Sequence, residues 1–236
     1  MSNQMTNSIA AAISALPSPY PPIILTKHYK GTCLNQQGRI VAINPNSATI
    51  QATQRLTFHI LSGMVHLRTG VFPGAISATI HPVDFAHGTF HLSDLSYNDW
   101  QERRAERVQP KYPTYVILHF YKKTFRAYLE DISTVGLGLL ANSTLDPDGK
   151  LRPGVKILLE FQLPPQHSFI HLMGTLVYRK IIGPQLVKFG IHLRPNTGQK
   201  SALQDYITLR YDEILRELEQ DYIRLLDPCR VENLYF

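Results

Sequence analysis

Cysteine is nearly absent: Cys33 and Cys229 are the only two in 236 residues. Two thiols cannot staple a disulfide scaffold, and their scarcity suits a reducing compartment, so a cytoplasmic location is expected. Long apolar runs are missing as well. No stretch approaches the roughly 20 consecutive apolar residues a membrane-crossing helix needs, which argues against a helical membrane protein. Charge is sparse at 18%, against about 25% in an average domain. No polybasic tail of the kind that grips DNA or anionic lipid is present, although a net charge of +6 and a pI near 9.3 favour anionic partners. What is present suffices for a core: 44% of the residues are apolar and 10% aromatic. The length allows one large domain or two small ones.

Neither end reads as fold. Residues 1–22 are rich in Ser, Asn and Ala and close with Pro17, Pro19, Pro21 and Pro22. They lack the basic start and continuous apolar segment of a signal peptide, so a flexible lead-in is expected. Residues 232–236 have the pattern of an engineered protease-tag remnant and are set aside.

Between the ends, strand-length runs alternate with turn chemistry. Residues 39–43 stop at Asn44-Pro45-Asn46-Ser47 and 48–50 resume, 56–61 stop at Ser62-Gly63, 76–80 precede His81-Pro82, and 90–92 follow Gly88. With no helical period between them, residues 23–98 read as a sheet curling into a barrel. Residues 99–108 are a polar linker holding Arg103, Arg104 and Arg107, the densest arginine cluster of the chain. A second barrel of five or six strands is expected over 109–197, from runs at 114–121, 125–129, 137–140, 155–163, 171–178 and 186–193. Turns are expected at 131–136 and 146–149. Residues 198–227 switch period: Leu203, Ile207, Ile214, Leu218 and Leu225 form one stripe of an amphipathic helix that starts on the second barrel and is stopped by Asp227-Pro228. The fold class is therefore mainly β, two small antiparallel barrels in tandem joined by an arginine-bearing linker, with a C-terminal amphipathic helix.

Two short motifs carry chemistry. Arg103-Arg104-Ala105-Glu106-Arg107 gives RxxxR, and Asp131-Ile132-Ser133-Thr134-Val135-Gly136 gives DxSxxG. With 14 Arg an accidental RxxxR is expected about once, whereas 10 Asp, 13 Ser and 14 Gly give an accidental DxSxxG only about 0.03 times. Asp, Ser and Gly are also what plain β-turns use; the order of the two motifs, arginines first and just ahead of a barrel, is what lifts the pair above that reading.

The pair resembles the signature of PilZ domains, bacterial receptors for cyclic di-GMP. The resemblance runs over roughly 102–211 and includes the 174–179 and 189–193 strands and a closing helix beginning near 201. With a barrel ahead of the arginines, the whole chain resembles the two-domain flagellar-brake architecture. The first barrel would be that group's N-terminal barrel or a degenerate PilZ-like copy, since residues 39–50 loosely parallel 126–137. The chemistry suits the ligand. Guanidinium forks pair bidentately with phosphate or with the N7/O6 edge of guanine, and a carboxylate accepts from guanine N1–H and N2–H. The resemblance implies a binding set of Arg103, Arg107, Asp131, Ser133 and Gly136, with Arg104 auxiliary and Tyr178 as a stacking aromatic. Ser133 is expected to donate to or accept from the ligand, and Gly136 to allow close approach and to be free to take φ > 0. Glu106, between the arginines, places a negative charge beside an anionic ligand.

The implied output is a protein contact with a flagellar motor, secretion or exopolysaccharide component, not a reaction. No nucleophile elbow, phosphate-cradling loop, HExxH or paired-carboxylate segment is present, so no catalysis is expected. No cofactor is expected beyond the ligand, and no metal: His81, Asp84, His87 and His91 fall within eleven residues, but nothing fixes the three or four converging ligands that zinc needs. Two rival readings remain, a PilZ-fold adaptor that binds only protein and an OB-like nucleic-acid binder. The arginines confined to one linker disfavour the latter.

Overall fold

The computed structural model describes residues 19–20, 22–44, 46–53, 63–68, 74–81, 88–98, 105–145, 150–164 and 169–226. The expected strand at 56–61, the turn at 146–149, linker residues 99–104, the Asp227-Pro228 stop, Cys229, the lead-in up to residue 18 and the tag remnant lie outside these. Packing divides the described residues into two compact units: one takes those up to Tyr29, those from Cys33 to 102 and those from Leu215 on; the other takes Lys30–Thr32 and those of 103–214.

The first unit is a closed antiparallel barrel of β1 (Pro22–Tyr29), β2 (Thr32–Asn44), β3 (Ser47–Ala52), β4 (Gly63–Arg68), β5 (Ala75–Ile80) and β6 (Thr89–Asn98), in the order β1-β2-β3-β6-β5-β4. Strand alternation supplies its core: Ile40, Ile50, Val65, Leu67, Ile76, Phe90 and Leu92 are all buried, and Leu218 packs with them. β1 and β4 are not legible as strands. In β1, Leu25, Thr26 and Lys27 are buried in succession, so the hydrophobic alternation that announces a half-exposed strand is lost.

The second unit is also a closed six-stranded barrel, of β7 (Tyr115–Phe120), β8 (Lys123–Ser133), β9 (Gly136–Asn142), β10 (Lys156–Phe161), β11 (Ile170–Gly183) and β12 (Leu186–Leu193). Its order, β7-β8-β9-β12-β11-β10, repeats that of the first barrel strand for strand. The repetition extends to detail. In both the β2–β3 and β8–β9 hairpins two residues separate the strands, and one residue bulges three positions before the end of the first strand, Val41 in one and Glu130 in the other. Counted this way Asp131 corresponds to Ala42 and Ser133 to Asn44. The sequence echo of 39–50 in 126–137 thus finds the right hairpins but slips by two residues.

Helix α1 (Thr197–Leu226) begins with a reciprocal cap: Asn196 Oδ1 accepts from Gln199 N–H and Gln199 Oε1 from Asn196 N–H, both at 2.9 Å. Leu203, Ile207, Ile214 and Leu218 of the predicted stripe are buried. Within the second unit, Gln199 Nε2 donates to His171 O at 2.6 Å and the buried Arg210 donates to Gln109 O at 3.0 Å, tying the first half of α1 to its barrel. No helix among the described residues is long and apolar enough to cross a membrane.

Candidate functional site

The site is assembled by one main-chain bridge and two bulges. Val108 is fully buried and exchanges both backbone hydrogen bonds with Ile132, each 3.0 Å, so the end of the arginine segment runs antiparallel along β8. This register sets Arg107 opposite Ser133. On β8, Leu129 points into the barrel, and simple alternation would send Asp131 and Ser133 inwards too. The extra residue Glu130 resets the phase: Leu129 pairs Leu139, but Asp131 pairs Gly138 and Ser133 pairs Gly136. On β11 the same device acts at Val177, so that Leu176 stays inside while Tyr178 comes out opposite Gly190.

Asp131, Gly138, Gly190 and Tyr178 consequently form one row across β8, β9, β12 and β11, and Ser133, Gly136, His192 and Thr175 form the row nearer the hairpin. The two central positions of the first row are bare backbone for a steric reason. A Cβ on Gly138 would lie 2.9 Å from the Asp131 carboxylate, and one on Gly190 would collide with the Tyr178 ring. Carboxylate and ring therefore lie flat on the sheet. Sequence reasoning passed over Gly138 and Gly190. A glycine inside a strand, as in Leu137-Gly138-Leu139 and Phe189-Gly190-Ile191, is the signal of close approach that could have found them.

Of the sequence-predicted residues, the structure brings Arg107, Asp131, Ser133 and Gly136 together at one end of this face. Arg107 Nη1 donates to Asp131 Oδ1 at 2.7 Å, with the two side chains 29% and 12% exposed. Tyr178 lies at the far end of the same row, 39% exposed. Arg103 and Arg104 lie outside the described residues. Two expectations change. The segment 131–136 is not one turn: only Thr134 and Val135 turn, while Asp131 and Ser133 belong to β8 and Gly136 to β9. Gly136 does not take positive φ; a Cβ there would make a tight 3.0 Å contact with Ile191 O. Ser133 is fully buried, its hydroxyl donating to Gly136 O at 3.2 Å and accepting from Val135 N–H at 3.4 Å. It staples the hairpin that holds Asp131.

The remaining features lie apart from this face. A cavity of about 620 Å³ is lined by residues of β7, β8 and β10 and by Tyr112, Pro164 and Phe169; it includes none of the predicted residues. The Arg126 guanidinium there sits 3.3 Å from the centre of the Tyr115 ring. In the first unit, His81 and His91 stand 5.9 Å apart between ring centres and contact Ser93 and Thr49 hydroxyls, while Asp84 and His87 lie outside the described residues. No group of three or more metal-binding side chains converges among the described residues.

Residues 101–209 match the family model for the PilZ domain. No curated protein sequence matches the chain. Among solved structures, the MrkH–c-di-GMP complex of K. pneumonia is 15% identical, with 90% of this chain and 96% of that one covered at a TM-score of 0.47. YcgR of Escherichia coli in complex with c-di-GMP is 15% identical, with 93% and 98% covered at 0.46. The Bacillus subtilis inhibitor of motility MotI/DgrA is 15% identical, with 81% and 96% covered at 0.43. The family match spans the arginine segment, the Asp131–Gly136 hairpin, the glycine row and the start of α1. Residues 101–209 of this chain are a PilZ domain.

Proposed function

We propose that this chain is a cytoplasmic, non-enzymatic cyclic di-GMP receptor whose nucleotide lies on the glycine row. One observation carries the reading: Arg107 and Asp131 meet at 2.7 Å on an outward face floored by glycines, inside the PilZ-matched segment. A carboxylate has about four lone-pair sites, so Asp131 can keep Arg107 on one oxygen and accept guanine N1–H and N2–H on the rest. Arg107 pairs a phosphodiester or the guanine edge, and the Tyr178 ring stacks a base. Arg103 and Arg104 close over the nucleotide from the same segment.

Folding that segment onto the ligand selects one arrangement of the two units and so displays or hides a surface for a motor, secretion or exopolysaccharide protein. The first barrel has Ala42 where the second has Asp131, so it lacks the acceptor and serves the output instead.

The test is calorimetry with cyclic di-GMP and cyclic di-AMP. Binding of the guanine ligand with a Kd of about 1 μM or tighter, roughly −8 kcal/mol, is expected, with the adenine ligand far weaker. Arg107→Ala and Asp131→Ala each weaken it more than about tenfold while the melting temperature barely moves, because their partly exposed ion pair contributes roughly 0.2–1 kcal/mol. A chain that binds neither nucleotide is a PilZ-fold adaptor, not a receptor.

A further inference from the structure

Arg107 flanks the glycine row from the hairpin side; a second cation flanks it from the other. Lys188 lies on β12 two residues from Gly190, hence on the same face, about 6.7 Å along the strand. In register it stands beside Leu140 and Lys180. Its Nζ is 2.6 Å from Oε2 of Glu130, the bulge residue that turns Asp131 outwards. The arrangement mirrors the other side: two adjacent acids of β8, Glu130 and Asp131, each hold one cation, and the two cations bracket the row.

The Lys188–Glu130 contact does not use up the ammonium. Glu130 Oε2 is buried, and the Lys188 ammonium faces it at 2.6 Å. An ammonium carries three donors, and the Lys188 side chain remains 27% exposed. A ligand with a single charged group would be served by Arg107 alone. Cations on both sides of the row suit a ligand with two anionic groups, one on either side of a flat middle.

Resting on the receptor reading above, we propose that Lys188 is a further ligand-binding residue, contacting the phosphodiester remote from Arg107. Glu130 is its positioning residue, holding the ammonium at the edge of the row and offsetting its charge while the site is empty.

The test is calorimetry of the full chain with cyclic di-GMP at low and high ionic strength, for wild type, Lys188→Met and Glu130→Gln, with melting curves as controls. Lys188→Met weakens binding about fivefold or more and flattens its salt dependence, because one screened charge contact is gone. Glu130→Gln keeps an acceptor for Lys188 but removes the opposing charge, so binding tightens and its salt dependence steepens. Should Lys188→Met melt early, Lys188→Gln takes its place. If wild type binds and a folded Lys188 variant matches it in affinity and salt dependence, the assignment is wrong. If wild type itself does not bind, the receptor reading fails first.

Discussion

Gly190→Ala isolates the role of the bare backbone. Gly190 does not have positive φ, so alanine is compatible with its backbone and the whole effect falls on what lies above it. The added Cβ would meet Tyr178 Cδ1 at 2.5 Å and Cζ at 2.7 Å. The ring, not the strand, is the part that can yield, and it must lift off the sheet. Stability changes little: the ring loses contact with the backbone, but replacing glycine stabilises by about 0.4–1 kcal/mol through the unfolded chain. Binding changes more. Stacking of a base on an aromatic side chain is worth roughly 1–3 kcal/mol, which is about 5–150-fold in Kd. Calorimetry with cyclic di-GMP should show that loss for Gly190→Ala and for Tyr178→Ala. The double variant should lose no more than Tyr178→Ala alone, because both act through one ring. A folded Gly190→Ala chain with wild-type affinity, or losses that simply add, would refute the reasoning.

Other consequences are as definite. Gly138→Ala places a Cβ 2.9 Å from the Asp131 carboxylate, so binding should fall by about tenfold or more in the same titration, with the barrel still folded. Arg210 is 4% exposed and donates to Gln109 O and to Glu213 Oε2, each at 3.0 Å. Arg210→Met should cost roughly 1–3 kcal/mol in a denaturant melt, by taking the donor from Gln109 O and the nearer cation from the partly exposed Glu213; an unchanged midpoint would contradict this. Tyr206 is pushed up to about 12, chiefly by burial, with Arg210 opposing and Glu213 adding. Its neutral form is favoured on folding, so this contribution is intact below pH ~10 and is lost as pH rises from about 10 to 12, on the order of 2 kcal/mol. Comparing wild type with Tyr206→Phe across that range should show the variant losing less stability. Asn196→Ala removes one half of the helix cap and should cost about 1 kcal/mol, read as a lower denaturant midpoint.

The second barrel was legible in the sequence because its runs of β-branched and aromatic residues alternate between breakers, and α1 because one stripe keeps helical spacing. The site was legible in composition but not in orientation. Counting outward from the buried Leu129 sends Asp131 into the core, and counting from Leu176 does the same for Tyr178. Only the extra residues Glu130 and Val177 put both on the outer face. A bulge leaves no local residue signal of its own, since it is set by how two distant strands register. Ser133 is legible by type alone: that type fits ligand contact and hairpin stapling equally, and the structure adds its burial and its hairpin hydrogen bonds. The Lys188–Glu130 pair joins residues far apart in sequence on nonadjacent strands of a rolled sheet, which no spacing rule anticipates.

The placement of the nucleotide is tested most directly by NMR titration of isotope-labelled chain with cyclic di-GMP, following the glycine amides. The amides of Gly136, Gly138 and Gly190 should shift together and saturate with the ligand. Shifts confined instead to the Tyr115, Arg126 and Phe169 cavity, or no shift at saturating nucleotide, would contradict the account.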